Sequence, residues 1–148
     1  EALKPDYKKY CQQIVKNAKV LAETLMDNGL ELVTGGTDNH LMVIKLINKG
    51  LTGKGKEIQN ALDEAGITVN KNTVPYEPST PFNPSGIRLG TPAVTTRGMK
   101  ESEMKVIGEC IAKVIDNYTN KSVIEKVRKD ILELCKKFPL YPEFDVLK

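Results

Sequence analysis

Apolar side chains recur every three or four residues over the first part of the chain, which is the spacing of one face of an amphipathic α-helix. This pattern predicts a long helix over residues 5–28, and Gly29 supplies its C-terminal stop. The same spacing predicts a second helix over 52–65, which Gly66 ends. Each helix has one apolar face, so each is expected to pack on one side against a core.

Two further helical patterns occupy the C-terminal part of the chain. One predicts a helix over 95–118, with Thr95 and Thr96 available as its N-terminal cap. The other predicts a helix over 122–138. Ser122 and Glu125 match a capping box at its start, and Pro139 ends it.

Short apolar runs between the helices predict strands at 30–34, 40–47, 67–69 and 87–89. The first two flank a tight polar turn and are expected to pair as an antiparallel hairpin. The order of elements predicts an α+β domain: a small, mostly antiparallel sheet with helices on one face, preceded by the long N-terminal helix. The other face of such a sheet has no cover, so we expect a second domain or subunit to meet it.

At 148 residues the chain has the length of a single domain. We divide it into a connecting helix (1–29), the α+β domain (30–138) and a loosely held tail (139–148). The start, Glu-Ala-Leu-Lys-Pro, has no capping signal before the long helix. We therefore expect the chain to be part of a larger protein.

Composition excludes several classes of function. Hydrophobic residues make up 40% and charged residues 28%, which is ordinary for a soluble globular protein. The net charge of +3 comes without a basic block and predicts no nucleic-acid partner. No apolar run approaches the roughly 20 residues of a membrane span, so no membrane partner is expected. Each of the three cysteines falls on an apolar helical face, which indicates reduced thiols in a cytoplasmic protein.

The single histidine, His40, limits the chemistry further. A histidine cluster for a metal is impossible, and a Ser-His-Asp triad would need His40 without any nucleophile-elbow motif. No metal site is expected. The simpler interpretation places His40 at the start of a strand with hydrogen bonds to nearby backbone, and a site role is the alternative.

Residues 70–84 form an irregular stretch longer than the roughly 4–6 residues of ordinary connections. The stretch carries apolar side chains and leads directly into the strand-like Gly-Ile-Arg-Leu-Gly, so we predict an ordered loop that delivers Arg88 to a fixed place. On a strand Arg88 faces away from Ile87 and Leu89, and its small neighbours are expected to leave room for a ligand. A guanidinium suits a carboxylate or phosphate held by two bonds. The alternative is an ion pair within the chain.

The prolines in this loop permit a second interpretation. They recur every third residue, at Pro75, Pro78, Pro81 and Pro84, which matches a polyproline II helix and a PxxP ligand for an aromatic groove. The GKGK run at 53–56 lacks full Walker spacing, and it is interpreted as a helix entry with solvated lysines.

Six motifs follow one another in the order GGTDNHL (35–41), LTGK (51–54), TVNKNTVP (68–75), PSTPF (78–82), SGIRLGTPA (85–93) and TTRG (95–98). Together they resemble the C-terminal domain of bacterial-type serine hydroxymethyltransferase, over residues 3–141. The resemblance implies the fold of the fold-type I enzymes dependent on pyridoxal 5′-phosphate. It also implies interconversion of serine and tetrahydrofolate with glycine and 5,10-methylenetetrahydrofolate, in a cytoplasmic homo-oligomer.

The resemblance assigns site residues one by one. The arginine of the SGIR motif, Arg88, would bind the α-carboxylate of the amino-acid substrate. The segment that contacts folate would comprise Asn72, Ser79, Thr80, Pro81 and Phe82.

One part of the family pattern is missing. The Schiff-base lysine follows a run of threonines and a histidine in the family's large domain, and no such run occurs here. The lysines at 45, 49, 54, 56 and 71 fit none of the cofactor-binding contexts, so we expect no catalytic residue in this chain and no activity from it alone. The alternatives are a non-catalytic carboxylate-binding or PxxP module, and the C-terminal domain of another fold-type I enzyme such as an aminotransferase. NKN with SGIRLGTPA argues against the aminotransferase.

Overall fold

A computed structural model describes residues 1–140, and it confirms the α+β class. The prediction for the tail lies almost wholly outside the described residues. A short 3-10 turn, Ile47–Lys49, follows the second strand. The main elements, in chain order, are α1 (Pro5–Asp27), β1 (Glu31–Leu32), β2 (Leu41–Lys45), α2 (Gly55–Glu64), β3 (Asn70–Asn72), β4 (Gly86–Gly90), α3 (Pro92–Thr96), α4 (Glu101–Asp116) and α5 (Lys121–Lys137).

The four strands form one antiparallel sheet in the order β1-β2-β4-β3. The predicted β1–β2 hairpin is confirmed, although both strands are shorter than the apolar runs suggest. Ile44 of β2 lies opposite Leu32 of β1 and Ile87 of β4, and all three side chains are buried. One face of the sheet therefore packs against the helices, as the sequence predicts.

The buried stripe of α1 belongs to this same core. Its apolar positions alternate with polar ones at helical spacing, and Ala18, Leu21 and Leu25 pack with the residues of the sheet and of α4. Helices α2 and α5 complete the core with Ile58, Leu62, Ile124 and Val127. Within residues 1–140, none of the helices combines the length and apolar character that a membrane-spanning segment requires.

A buried polar network ties α1 to the segment that follows β4. Asn17 is fully buried, and its amide donates to Thr95 Oγ1 at 2.9 Å and to the carbonyl of Met99 at 3.0 Å. Thr91 Oγ1 donates to the carbonyl of Ile14 at 2.9 Å. Because buried polar groups are costly without partners, these bonds specify how α1 crosses this segment. The end of β4 is thereby fixed to the longest helix.

The helix predicted over 95–118 is confirmed as α4, but its predicted start is wrong, because residues 95 and 96 end the separate helix α3 and α4 begins at Glu101. Gly98 takes a left-handed conformation (φ +90°), and Lys100 is extended before α4 begins. Thr95 does not cap a helix, since its hydroxyl donates to the carbonyl of Thr91. Instead, the carboxylate of Glu103 accepts the backbone N–H of Lys100 at 2.8 Å.

Two smaller predictions also need correction. The side chain that caps α5 is Asn120, whose oxygen accepts from the backbone N–H groups of Ser122 and Val123, so the predicted Ser122–Glu125 capping box is wrong. The brief strand predicted at 67–69 lies three residues later, as β3. The apolar character of Val69 reflects burial in the core and not strand pairing.

Candidate functional site

Arg88 occupies the middle of β4, opposite Val43 of β2 and Asn70 of β3. Residues that pair directly across strands share a face of the sheet, so Arg88 lies on the face opposite to that of Ile44 and Ile87. Its side chain is exposed, whereas Ile87 is fully buried. The predicted orientation of Arg88, away from Ile87, is confirmed.

The alternative of an internal ion pair for Arg88 finds no support in residues 1–140. No carboxylate of this part of the chain makes a salt bridge with it. The guanidinium is instead held on a strand that pairs on both sides, with its donors open to the surroundings. The backbone position of Arg88 is therefore fixed, and its planar guanidinium offers N–H donors that suit the two oxygens of a carboxylate.

Asn72 lies on the same face as Arg88, on the neighbouring strand. It pairs with Gly86, and Asn70 pairs with Arg88, so Asn72 is a diagonal neighbour of Arg88. Such neighbours stand roughly 7–8 Å apart. The Asn72 amide donates to the carbonyl of Thr73 at 2.6 Å, which leaves its oxygen to accept from a ligand. The structure thus brings two predicted site residues together.

We expected the small residues around Arg88 to leave room for a ligand. Two of them, Gly86 and Gly90, instead lie in close contact with other parts of the chain. A Cβ on Gly86 would lie 2.7 Å from Val74 Cγ1, and a Cβ on Gly90 would lie 2.7 Å from the carbonyl oxygen of His40. These glycines allow other parts of the chain to pack closely on either side of Arg88. The close packing fixes the strand and the loop relative to each other.

The predicted folate segment ends in a tight turn. The backbone N–H of Asn83 donates to the carbonyl of Thr80 at 3.1 Å, and these two residues form an isolated bridge. Pro81 and Phe82 stand at the tip of this turn, and the side chain of Phe82 is 80% exposed. Lys71 Nζ of β3 donates to the Phe82 carbonyl at 2.6 Å and ties the turn to the sheet. The exposed ring is therefore held near β3 and not on a free loop.

Glu77 is the residue that sequence reasoning missed. Its Oε2 accepts from the backbone N–H groups of Val74 (3.2 Å) and Ser85 (2.9 Å). Its Oε1 accepts from the backbone N–H of Ser79 (3.0 Å) and from the hydroxyl of Ser85 (2.6 Å). Burial alone raises the pKa of Glu77, but the bonds from Ser85, Ser79 and Val74 outweigh it and hold the pKa below its ordinary value. The available signal was a single acidic residue among prolines and serines.

The entry of α2 holds the other side of the loop. Gly53 donates its backbone N–H to Ser85 Oγ at 3.0 Å, and Gly55 donates to the carbonyl of Pro84 at 2.8 Å. Lys54 and Lys56 are exposed, which confirms the interpretation of GKGK as a helix entry with solvated lysines. The glycines in this motif let the helix start contact the loop backbone.

The PxxP interpretation does not agree with the structure. A polyproline II helix needs φ near −75° throughout. Tyr76 has a positive φ of 56°, and the Thr80–Asn83 turn reverses the chain. Pro84 is buried, so it could not contact an external groove. The proline spacing results from a folded loop with several turns.

His40 lies beside this site but has no defined role in it. Its backbone carbonyl accepts the backbone N–H of Thr91 at 3.0 Å, a bond that does not involve the ring, so both interpretations of the His40 side chain stay predictions. The ring is exposed. An open cavity of about 560 Å³ lies nearby between α1 and residues 34–39, and none of the predicted site residues lines it.

The five lysines considered above, at positions 45, 49, 54, 56 and 71, are not placed as a lysine that forms a Schiff base with pyridoxal phosphate would be. A Schiff-base lysine must reach the cofactor as an uncharged amine. Lys56 is exposed at the start of α2. Each of the other four lysines weighed above has a partner within the chain: Lys45 with Glu31, Lys49 with Asp116, Lys54 with Glu57, and Lys71 with the Phe82 carbonyl.

Comparison with known proteins shows the family of the chain. Residues 1–111, which include β3, the loop and β4, match the family model of serine hydroxymethyltransferase. A serine hydroxymethyltransferase from Methanospirillum hungatei is 54% identical over 143 residues. That alignment covers 97% of this chain and 34% of the relative, so the chain spans about a third of the relative's length. The chain belongs to the serine hydroxymethyltransferase family.

Proposed function

We propose that this chain is the C-terminal, substrate-clamping part of a serine hydroxymethyltransferase. The complete enzyme interconverts serine and tetrahydrofolate with glycine and 5,10-methylenetetrahydrofolate. The proposal rests on family membership and on one geometric observation. Arg88 of β4 and Asn72 of β3 are diagonal neighbours on one sheet face, and Lys71 ties the Phe82 turn to β3.

In this proposal Arg88 binds the α-carboxylate of serine or glycine. Two charge-assisted hydrogen bonds from a planar guanidinium fix both the position and the rotation of a carboxylate. Because β4 is paired on both sides, the backbone of Arg88 is already in place before substrate binds, and only its exposed side chain has to be ordered. The residue therefore orients the amino acid. Orientation of bound reactants can lower the activation free energy of a reaction between two partners by several kcal/mol.

Asn72 and the segment Ser79–Phe82 form part of the tetrahydrofolate site. The amide of Asn72 can read a donor and acceptor edge of the pterin, and the loop backbone with Phe82 can line its flank. Pyridoxal phosphate supplies the electron sink of the reaction when bound. The lysine that binds it belongs to the part of the enzyme that this chain does not include. The complete enzyme is a cytoplasmic homo-oligomer in this proposal, and this chain alone is inactive.

The test uses reconstituted enzyme. The chain is co-expressed with the part of the Methanospirillum hungatei relative that it does not cover, and kcat/KM is measured with serine and tetrahydrofolate. Arg88→Ala and Arg88→Lys are expected to lose roughly 100-fold or more in kcat/KM, since the paired charged bonds contribute about 3 kcal/mol. Arg128→Ala, an exposed arginine on α5, is the matched control and should retain activity.

A kcat/KM for Arg88→Ala within about threefold of wild type would refute the carboxylate role. Wild-type mixtures that never turn over serine would refute the assignment to this reaction. The chain without the added part is measured in parallel and is expected to show no turnover.

A further inference from the structure

We propose that Glu77 is a positioning residue for tetrahydrofolate, acting through the loop that carries the folate contacts. This inference deepens the proposed function and rests on it. Glu77 itself is not placed in contact with substrate. Its role is to hold residues 74–85 in one conformation, so that Ser79 and the Phe82 turn lie in register with Asn72 and Arg88.

The contacts of Glu77 reach three separate points of the loop. They begin at Val74, where the loop leaves β3, continue at Ser79, where the folate segment starts, and end at Ser85, where the loop enters β4. One carboxylate therefore joins the two ends of the loop to its middle. No other side chain within residues 1–140 is seen to bond all three points.

Ser85 extends this arrangement into the body of the domain. The residue is fully buried, its hydroxyl accepts from Gly53, and its carbonyl accepts the backbone N–H of Leu46. Glu77 is thus connected through Ser85 to the start of α2 and to the end of β2. The loop conformation depends on this connection, because Thr80, Pro81 and Phe82 are exposed, with Phe82 at 80%, and are not held by burial in the core.

Arg88 depends on Glu77 much less. Its backbone is held by β2 on one side and by β3 on the other, independently of the loop. Loss of Glu77 should therefore disturb the folate contacts and leave the amino-acid contact in place. This difference separates a positioning role from a general requirement for folding.

The chemistry of the site calls for a carboxylate. All four contacts are donors to Glu77: three backbone N–H groups and one hydroxyl. A carboxylate has two acceptor oxygens and no donor, whereas a glutamine would direct its own N–H₂ group at two of these donors. Glu77→Gln therefore keeps the size of the side chain and one acceptor oxygen, but it cannot keep all four bonds. Glu77→Asp keeps the acceptors on a shorter side chain and should retain more of the function than glutamine.

The first measurement is amide hydrogen exchange in the chain. In Glu77→Gln the amides of Val74, Ser79 and Ser85 are expected to exchange at least about tenfold faster, while the amide of Arg88 keeps its protection. Glu133→Gln, which removes an exposed carboxylate on α5, is the matched control and should leave all four unchanged. Unchanged exchange at the loop amides in Glu77→Gln would overturn the proposal.

The second measurement is steady-state kinetics in the reconstituted enzyme. Glu77→Gln is expected to raise KM for tetrahydrofolate about tenfold or more and to change KM for serine less than about threefold, with Glu77→Asp between wild type and Gln. An unchanged KM for tetrahydrofolate, or an equal rise in both values, would overturn the inference. If Glu77→Gln does not fold, Ser85→Ala replaces it, and the same comparison of KM values decides. Wild-type enzyme without folate-dependent turnover would instead refute the proposed function.

Discussion

The contact between α2 and the loop can be tested at Gly55, where an added methyl group would clash with the backbone of the loop. A Cβ added to Gly55 would lie 2.6 Å from the carbonyl oxygen of Pro84 and 2.9 Å from that of Gly86. Both are backbone atoms, which cannot rotate away as a flexible side chain can. Gly55→Ala must therefore move the start of α2 away from the segment between the folate turn and Arg88.

The size of the effect follows from three contributions. Overpacking costs about 1–3 kcal/mol in the free energy of unfolding. Loss of the Gly55 N–H bond to Pro84, 2.8 Å in the native chain, costs about 1 kcal/mol more. The higher helix propensity of alanine returns about 1 kcal/mol. The net destabilisation is expected to be about 1–3 kcal/mol.

Urea denaturation of the chain, followed by far-ultraviolet circular dichroism, measures this difference. A loss of about 2 kcal/mol corresponds to a fall in Tm of roughly 4–8 °C for a chain of this size. Lys56→Ala, the next residue of α2 and exposed to solvent, is the control and should stay within about 0.5 kcal/mol of wild type. If the free energy of unfolding of Gly55→Ala also lies within about 0.5 kcal/mol of wild type, the described contact between α2 and Pro84 is refuted.

Two further predictions concern stability. Asn120→Ala removes the side-chain acceptor at the start of α5 and should lower the free energy of unfolding by about 1 kcal/mol. Ser122→Ala should lower it by less. If urea titrations show the reverse order, Ser122 and not Asn120 caps the helix, as the capping box predicted. The pKa values of Glu77 and Glu103 lie below their ordinary values, so their stabilising contribution is present above an unfolded pKa of about 4.3 and is lost as pH falls through the folded values. Unfolding free energies should therefore fall in the acid range below about pH 4, and a Glu77→Gln, Glu103→Gln double variant should show a smaller fall; an equal fall would contradict the assignment.

The arrangement of the site agrees with a chain that spans about a third of its relative. Arg88 and the Phe82 ring are exposed on structure that is otherwise firmly held, by strand pairing in one case and by Glu77 and Lys71 in the other. In the proposed function these side chains meet the substrate at a surface that the remaining part of the enzyme completes.

Features that depend on neighbours in sequence could be predicted from the chain alone. The long helix α1, helix α2 and the β1–β2 hairpin follow from the spacing of apolar residues and from stop signals such as Gly29 and Gly66. The exposure of Arg88 follows from the alternation of a strand between two apolar residues. These patterns are local, and the core that buries them does not need to be known in advance.

Features that depend on distant contacts were decided only by the tertiary structure. Register places Asn72 beside Arg88, because β3 pairs with β4 at 70–72 and not at the more apolar 67–69. The helix break at Gly98 accompanies the bonds of Asn17 to Thr95 and Met99, residues about eighty positions away. The role of Glu77 depends on donors that the folded loop brings together, and no spacing rule in the sequence records where those backbone groups point.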